Sequence, residues 1–263
     1  MELIESNEAR LAYRWDGSDG APVLLLAHSL GVDLHMWNAQ IASLATRFHI
    51  LRYDIRGHGR SSAPRGPYTI EQLGRDVLNL LDALDVARVS FCGLSMGGMV
   101  GQWLGINAPE RLQRLVLCNT AAVMPPPGLW DQRIDTVLAE GMQALTPAIL
   151  QRWFTPAFQQ AEPAAVAPIE ASLNNANIEG YAGCCAAVRD MDLRSELARI
   201  NIPTLIIAGD QDASTPLETA RFIAGQIAGS CLAVLTAAHL SNIEAAADFN
   251  RTLLDFLTAP EAI

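Results

Sequence analysis

Ser95 stands among three glycines in the stretch "FCGLSMGGMV" (residues 91–100). Glycine weakens strand and helix interiors by roughly 0.5–1 kcal/mol relative to alanine. Three of them between an apolar run and a helical pattern therefore mark a position that needs room. "GLSMG" fits G-x-S-x-G through Gly93, Ser95 and Gly97. In that pattern a strained strand-to-helix turn lifts a hydroxyl clear of the sheet, and the flanking glycines keep neighbouring chains from colliding. Gly98 lets the new helix pack closely. The chemistry is nucleophilic attack by a hydroxyl that stays inert until a base takes its proton.

The histidines are His28, His35, His49, His58 and His239. A nucleophile on such a turn is followed along the chain by an acid and then a histidine. Only His239, in "TAAHLSNIE", comes after Ser95. The acid should follow the intervening strand, where "LIIAGDQDASTP" offers Asp210 and Asp212. Asp210 is nearer the strand end and could be buried in it. Asp212 lies on the loop, where its side chain can swing toward His239, and it is the preferred candidate. Its role would be to fix the imidazole tautomer and stabilise the imidazolium.

Attack on a carbonyl also needs N–H donors for the developing oxyanion. Met96 follows the nucleophile at a helix N-terminus, where the dipole favours negative charge. The second donor is expected from the loop "HSLG" (28–31), at Leu30, with Ser29 where the H-G-x-G pattern has glycine. "YDIRGHGRSS" (53–62) brings Asp54, Arg56 and His58 together, and reads as a tight loop whose side chains tie strand ends. No His/Asp/Glu cluster has metal-ligand spacing, and no G-K-[ST] follows the glycines of 93–98. Neither a metal nor an organic cofactor is expected.

The elements that must position these residues are legible as alternation. Apolar runs of strand length recur at 11–15, 22–28, 48–54, 88–94, 114–119, 203–209 and 231–236. Most are apolar on both faces, as parallel strands covered by helices are. Helical periods lie between them, as in "IEQLGRDVLNLLDAL" (70–84), and residues 242–257 read as one closing helix. The expected class is α/β, a doubly wound, mostly parallel sheet. From 121 to 196 there is no strand signal. That segment reads as a helical cap inserted into a core of residues 1–120 and 197–263, with "PPP" (125–127) as a stiff linker.

Half of the 263 residues are hydrophobic and 17% are charged, so a large core is expected rather than disorder. A net charge of -10 argues against nucleic acid or an anionic membrane as partner. Any anion site must be local. An odd set of cysteines (Cys92, Cys118, Cys184, Cys185, Cys231), without C-x-x-C, reads as reduced and mostly buried thiols. The start lacks a signal-peptide pattern and no apolar run is long enough to span a membrane, so the expected location is the cytoplasm.

"GLSMGG", "DIRGHGRS", "GDQDASTP" and the last histidine resemble the α/β-hydrolase superfamily over essentially the whole chain. More narrowly, "SLGVDLHMW" (29–37), "GYAGCCAAVRDMD" (180–192) and "AAHLSNIE" (237–244) resemble the 3-oxoadipate enol-lactonases. His28 departs from the asparagine of many such enzymes. The resemblance implies hydrolysis of an anionic enol-lactone to 3-oxoadipate in the β-ketoadipate pathway of bacterial aromatic degradation. The substrate's carboxylate then needs a cation, with Arg133 the expected anchor and Arg152 the alternative, while Trp130 and Trp153 wall off water. A carboxylesterase, a C–C bond hydrolase and a non-catalytic binding module remain alternatives. Relatives that use aspartate as nucleophile do not fit Ser95.

Overall fold

A computed structural model describes residues 1–6, 8–124 and 126–260. Its strands are β1 (Glu2–Ser6), β2 (Ala9–Asp16), β3 (Val23–Ala27), β4 (His49–Tyr53), β5 (Val89–Leu94), β6 (Leu112–Cys118), β7 (Thr204–Gly209) and β8 (Cys231–Leu235). They form one sheet in the order β1-β2-β4-β3-β5-β6-β7-β8. The pairs β1/β2 and β2/β4 are antiparallel; the rest of the sheet is parallel. The α/β doubly wound class expected from the alternation is the class observed. β5 and β7 are buried along their whole length, as their two-sided apolar sequences require.

The sequence reading missed β1. Its residues, ELIES, hold only two apolar side chains at a sheet edge, and most are exposed. A run apolar on both faces is the wrong template for such a strand. At the opposite edge, β8 is also largely exposed.

Helices α1 (Asn38–Leu44), α2 (Ile70–Ala83) and α3 (Met96–Asn107) connect the first parallel strands. α2 opens on a capping box, in which Thr69 and Gln72 satisfy each other's backbone N–H. Between β6 and β7 run α4 (Pro127–Glu140), α5 (Thr146–Trp153), α6 (Pro156–Ala161), α7 (Pro163–Asn174) and α8 (Ile178–Asp190). Pro125, first residue of the expected linker, lies outside the described residues. α9 (Leu217–Gln226) joins β7 to β8. The single closing helix expected over 242–257 is two, α10 (Ser241–Glu244) and α11 (Ala246–Thr258). Ala245 between them leaves helical geometry at φ -118°, ψ 43°. Alanine is the best helix former, so the break carries no sequence signal.

Two features of the fold position the site. First, β3 and β5 are neighbours while β4 lies on the other side of β3. The connections leaving β3 and β5 therefore diverge, opening a crevice at the carboxyl ends of the strands. Second, α8 is seated on the core by main-chain contact. A Cβ on Gly180 would lie 2.2 Å from the carbonyl oxygen of Gly57. Nearby, the Tyr68 N–H donates to the Gly183 carbonyl at 3.1 Å.

Candidate active site

Ser95 occupies the crevice as the N-cap of α3, at φ 56°, ψ -115°. A non-glycine residue there carries strain of about 1–3 kcal/mol, and its neighbours hold it in place. The Ser95 N–H donates to the Cys118 carbonyl at 2.9 Å, and its carbonyl accepts from the Met99 N–H at 3.0 Å and the Thr120 hydroxyl at 2.8 Å. The next turn is pinned to the end of β3, where the Gly97 N–H donates to the His28 carbonyl at 3.1 Å. A Cβ on Gly97 would sit 2.2 Å from the carbonyl oxygen of Ala27. That close approach is the physical need for glycine two residues after the serine.

Asp212 and His239 leave the ends of adjacent strands β7 and β8, and His239 Nδ1 lies 2.8 Å from Asp212 Oδ2. Both side chains are buried. Asp212 Oδ1 accepts from the N–H groups of Ser214 at 2.8 Å and Thr215 at 2.9 Å. Its Oδ2 also accepts from the Thr215 hydroxyl at 2.8 Å and the Asn119 amide at 3.0 Å. Burial by itself would raise this carboxyl. The charge of His239, its hydrogen bond and the other donors outweigh burial and hold the carboxyl down at about 2. Asp210, the rival acid, is exposed rather than buried in the strand end.

A cavity of about 420 Å³ brings Ser95 and His239 together with Leu30 and Met96. In the loop after β3, the Ser29 N–H contacts the Met36 sulfur at 3.3 Å and the Gly31 N–H donates to His58 Nε2 at 2.8 Å. At the start of α3, the Gly97 N–H is engaged by His28. Between these engaged groups, the Leu30 and Met96 N–H groups have no hydrogen-bond partner among the described residues. Both residues line the cavity. The arrangement can present two main-chain donors to an oxygen bound beside Ser95.

The helices between β6 and β7 complete the wall with Trp130, Arg133, Arg152 and Trp153. The Arg133 guanidinium lies over the Trp130 ring, 5.1 Å from its centroid. The Trp153 ring is 5.9 Å from that of His239. Arg133 is half-buried, Arg152 is more exposed, and neither faces a carboxylate within salt-bridge distance among the described residues. The cavity thus carries unneutralised positive charge inside an acidic protein.

Several supporting residues escaped the sequence reading. Asn119 follows β6 at a positive φ of 43°, a conformation that asparagine tolerates. Its amide donates to Asp212 and its carbonyl oxygen accepts from the Ser241 hydroxyl at 2.6 Å. Thr215 closes an Asx-type turn on Asp212, for which "DAST" was the available signal. The "DIRGHG" loop does tie strand ends, and it reaches further. His28 Nε2 accepts the Ile55 N–H at 2.9 Å and His58 Nε2 accepts that of Gly31. Both rings are therefore neutral, with Nδ1 directed at the carbonyls of Ser29 and Arg56. Burial drives His58 down to about 3, and burial also lowers His28 against the opposing charge of Asp54. Asp54 accepts the N–H groups of Leu34 and Arg60, and Arg56 pairs with buried Asp76.

Among the described residues no group of three or more His, Cys, Asp or Glu side chains could hold a metal ion. No described helix is long and apolar enough to cross a membrane. Comparison with known proteins places the chain. The alpha/beta hydrolase fold family matches residues 22–246. A 3-oxoadipate enol-lactonase of Acinetobacter baylyi is 40% identical over 96% of this chain and 94% of its own. The crystal structure of an enol-lactonase from Burkholderia xenovorans superposes with a TM-score of 0.97 at 45% identity, covering 98% of this chain and 100% of that one. A hydrolase from Pseudomonas aeruginosa gives 0.95 at 50% identity, with 98% of each chain covered. The chain belongs to the α/β-hydrolase family and, within it, to the branch of the 3-oxoadipate enol-lactonases.

Proposed function

We infer that this protein opens 3-oxoadipate enol-lactone to 3-oxoadipate by serine catalysis. The observation that carries the reading is the cavity that gathers Ser95, His239 backed by buried Asp212, two unengaged N–H groups and Arg133, in a chain so similar to enol-lactonases.

Ser95 Oγ attacks the lactone carbonyl while His239 takes its proton. The carbonyl oxygen becomes an oxyanion held by the Leu30 and Met96 N–H groups, at the positive end of α3. The ring C–O bond then breaks, and the enol oxygen leaves with a proton from His239. The product of this step is an acyl-enzyme whose enol stays tethered to the acyl carbon and can close the ring again. Tautomerisation to the ketone removes that nucleophile. Water, deprotonated by His239, attacks the acyl carbon, and Ser95 leaves with the proton. Asp212 stays ionised throughout and balances the imidazolium. Arg133 meets the substrate's own carboxylate, Trp130 and Trp153 exclude water, and residues 121–196 serve as the cap. No metal or organic cofactor enters these steps. The reduced, mostly buried thiols support a cytoplasmic setting.

The test is to present authentic enol-lactone and follow the loss of its ultraviolet absorbance. Turnover by the wild type and none by Ser95→Ala is the expected result. Rapid turnover of p-nitrophenyl esters with no action on the lactone would instead make the protein an esterase.

A further inference from the structure

We propose that the hydroxyl of Ser29 is a third hydrogen-bond donor to the substrate oxygen that becomes the oxyanion. The proposal rests on the assignment of Ser95 as nucleophile and of Leu30 and Met96 as main-chain donors.

Ser29 has no exposed surface, and its Oγ is buried with no hydrogen-bond partner among the described residues. The residue also lines the cavity that holds Ser95 and His239. A buried hydroxyl without a partner costs folding free energy, and alanine in its place would not. Its own main-chain groups cannot relieve it, because they are already engaged. The Ser29 carbonyl lies 2.7 Å from His28 Nδ1, and its N–H contacts the Met36 sulfur. Those contacts fix the main chain and leave the side-chain torsion and the hydroxyl rotor as the free variables. The cavity that Ser29 lines is where a partner can enter.

Covalent structure says where that partner sits. Ser29 Oγ is separated from the Leu30 nitrogen by four bonds (Oγ–Cβ–Cα–C–N), so both donors can converge on one oxygen. The Leu30 N–H is itself unengaged among the described residues. A hydroxyl differs from an N–H in that it can also accept. Its rotor can turn to donate once substrate arrives. Its bond strengthens as the carbonyl oxygen gains charge, so its contribution belongs to kcat rather than to KM.

The experiment compares Ser29→Ala with wild type, using both the enol-lactone and p-nitrophenyl acetate, since an oxyanion forms on either. We expect kcat to fall about 10- to 100-fold on both substrates, with KM within about threefold. The melting temperature should stay the same or rise, because an orphan hydroxyl has been removed. Ser29→Cys, a weaker donor of similar size, should fall between the two. A kcat within twofold of wild type, or a loss confined to KM, overturns the proposal. So does a melting temperature that falls along with activity, which would make Ser29 a packing residue. Failure of the wild type on the lactone alone counts against the substrate assignment and leaves the comparison readable on the ester.

Discussion

At the scale of single residues, the site's chemistry comes from groups kept from bonding to their own chain. The Leu30 and Met96 N–H groups are unengaged among the described residues while their neighbours are tied down, and Arg133 stacks on Trp130 without an acid. Asp212→Asn should lower kcat by roughly 10⁴-fold, because the amide would hold the wrong imidazole tautomer. Steady-state kinetics on the lactone checks this. Arg133→Ala should raise KM about 10- to 100-fold, with kcat changed much less, if that arginine binds the substrate's carboxylate. Unchanged KM and kcat would shift the anchor to Arg152. The residues proposed to react were legible because G-x-S-x-G, a lone downstream histidine and a post-strand aspartate each carry a pattern. Asn119 and Thr215 were not, since a residue that supports another from a different strand has no spacing of its own.

At the scale of elements, the site follows from sheet order. The connections from β3 and β5 diverge, so the donor loop and the nucleophile turn meet over the same strand ends. Alternation in the sequence was enough to show the strands that build this crevice. It did not show β1, whose pattern is that of a half-exposed edge, or the break at Ala245. The contact between α8 and the "DIRGHG" loop was equally hidden, because a glycine pair that touches across 123 residues leaves no local trace. Gly180→Ala would push a methyl group against the Gly57 carbonyl. The expected cost is about 1–3 kcal/mol, read as a lower urea midpoint. Tyr181 on the same helix lines the cavity, so KM should change as well.

At the scale of the whole molecule, the buried neutral histidines couple stability to acidity. His58 sits at about 3 in the folded chain, against about 6.5 for an exposed histidine, and His28 is displaced in the same direction. The unfolded chain therefore takes up protons first, and stability is full above about pH 6.5 and falls as the pH drops toward 3. The limiting slope is about 1.4 kcal/mol per pH unit for each histidine. Asp212 adds to the loss at the acid end, because its folded value of about 2 lies below the ordinary one; its share is present above about pH 4 and disappears as the pH falls through 2. Urea midpoints at pH 7, 5 and 4 should show the decline. His58→Gln, which keeps an acceptor for Gly31 without titrating, should flatten it. The main-chain seat of α8 has a different bearing, on how far this hydrolase can be rebuilt. A transplant that exchanges only residues 127–176 leaves that seat untouched, so new pocket walls can be grafted there provided the face of α4 that packs on α8 is kept. Exchanging 178–190 as well would require the donor's counterpart of Gly57 to travel with it.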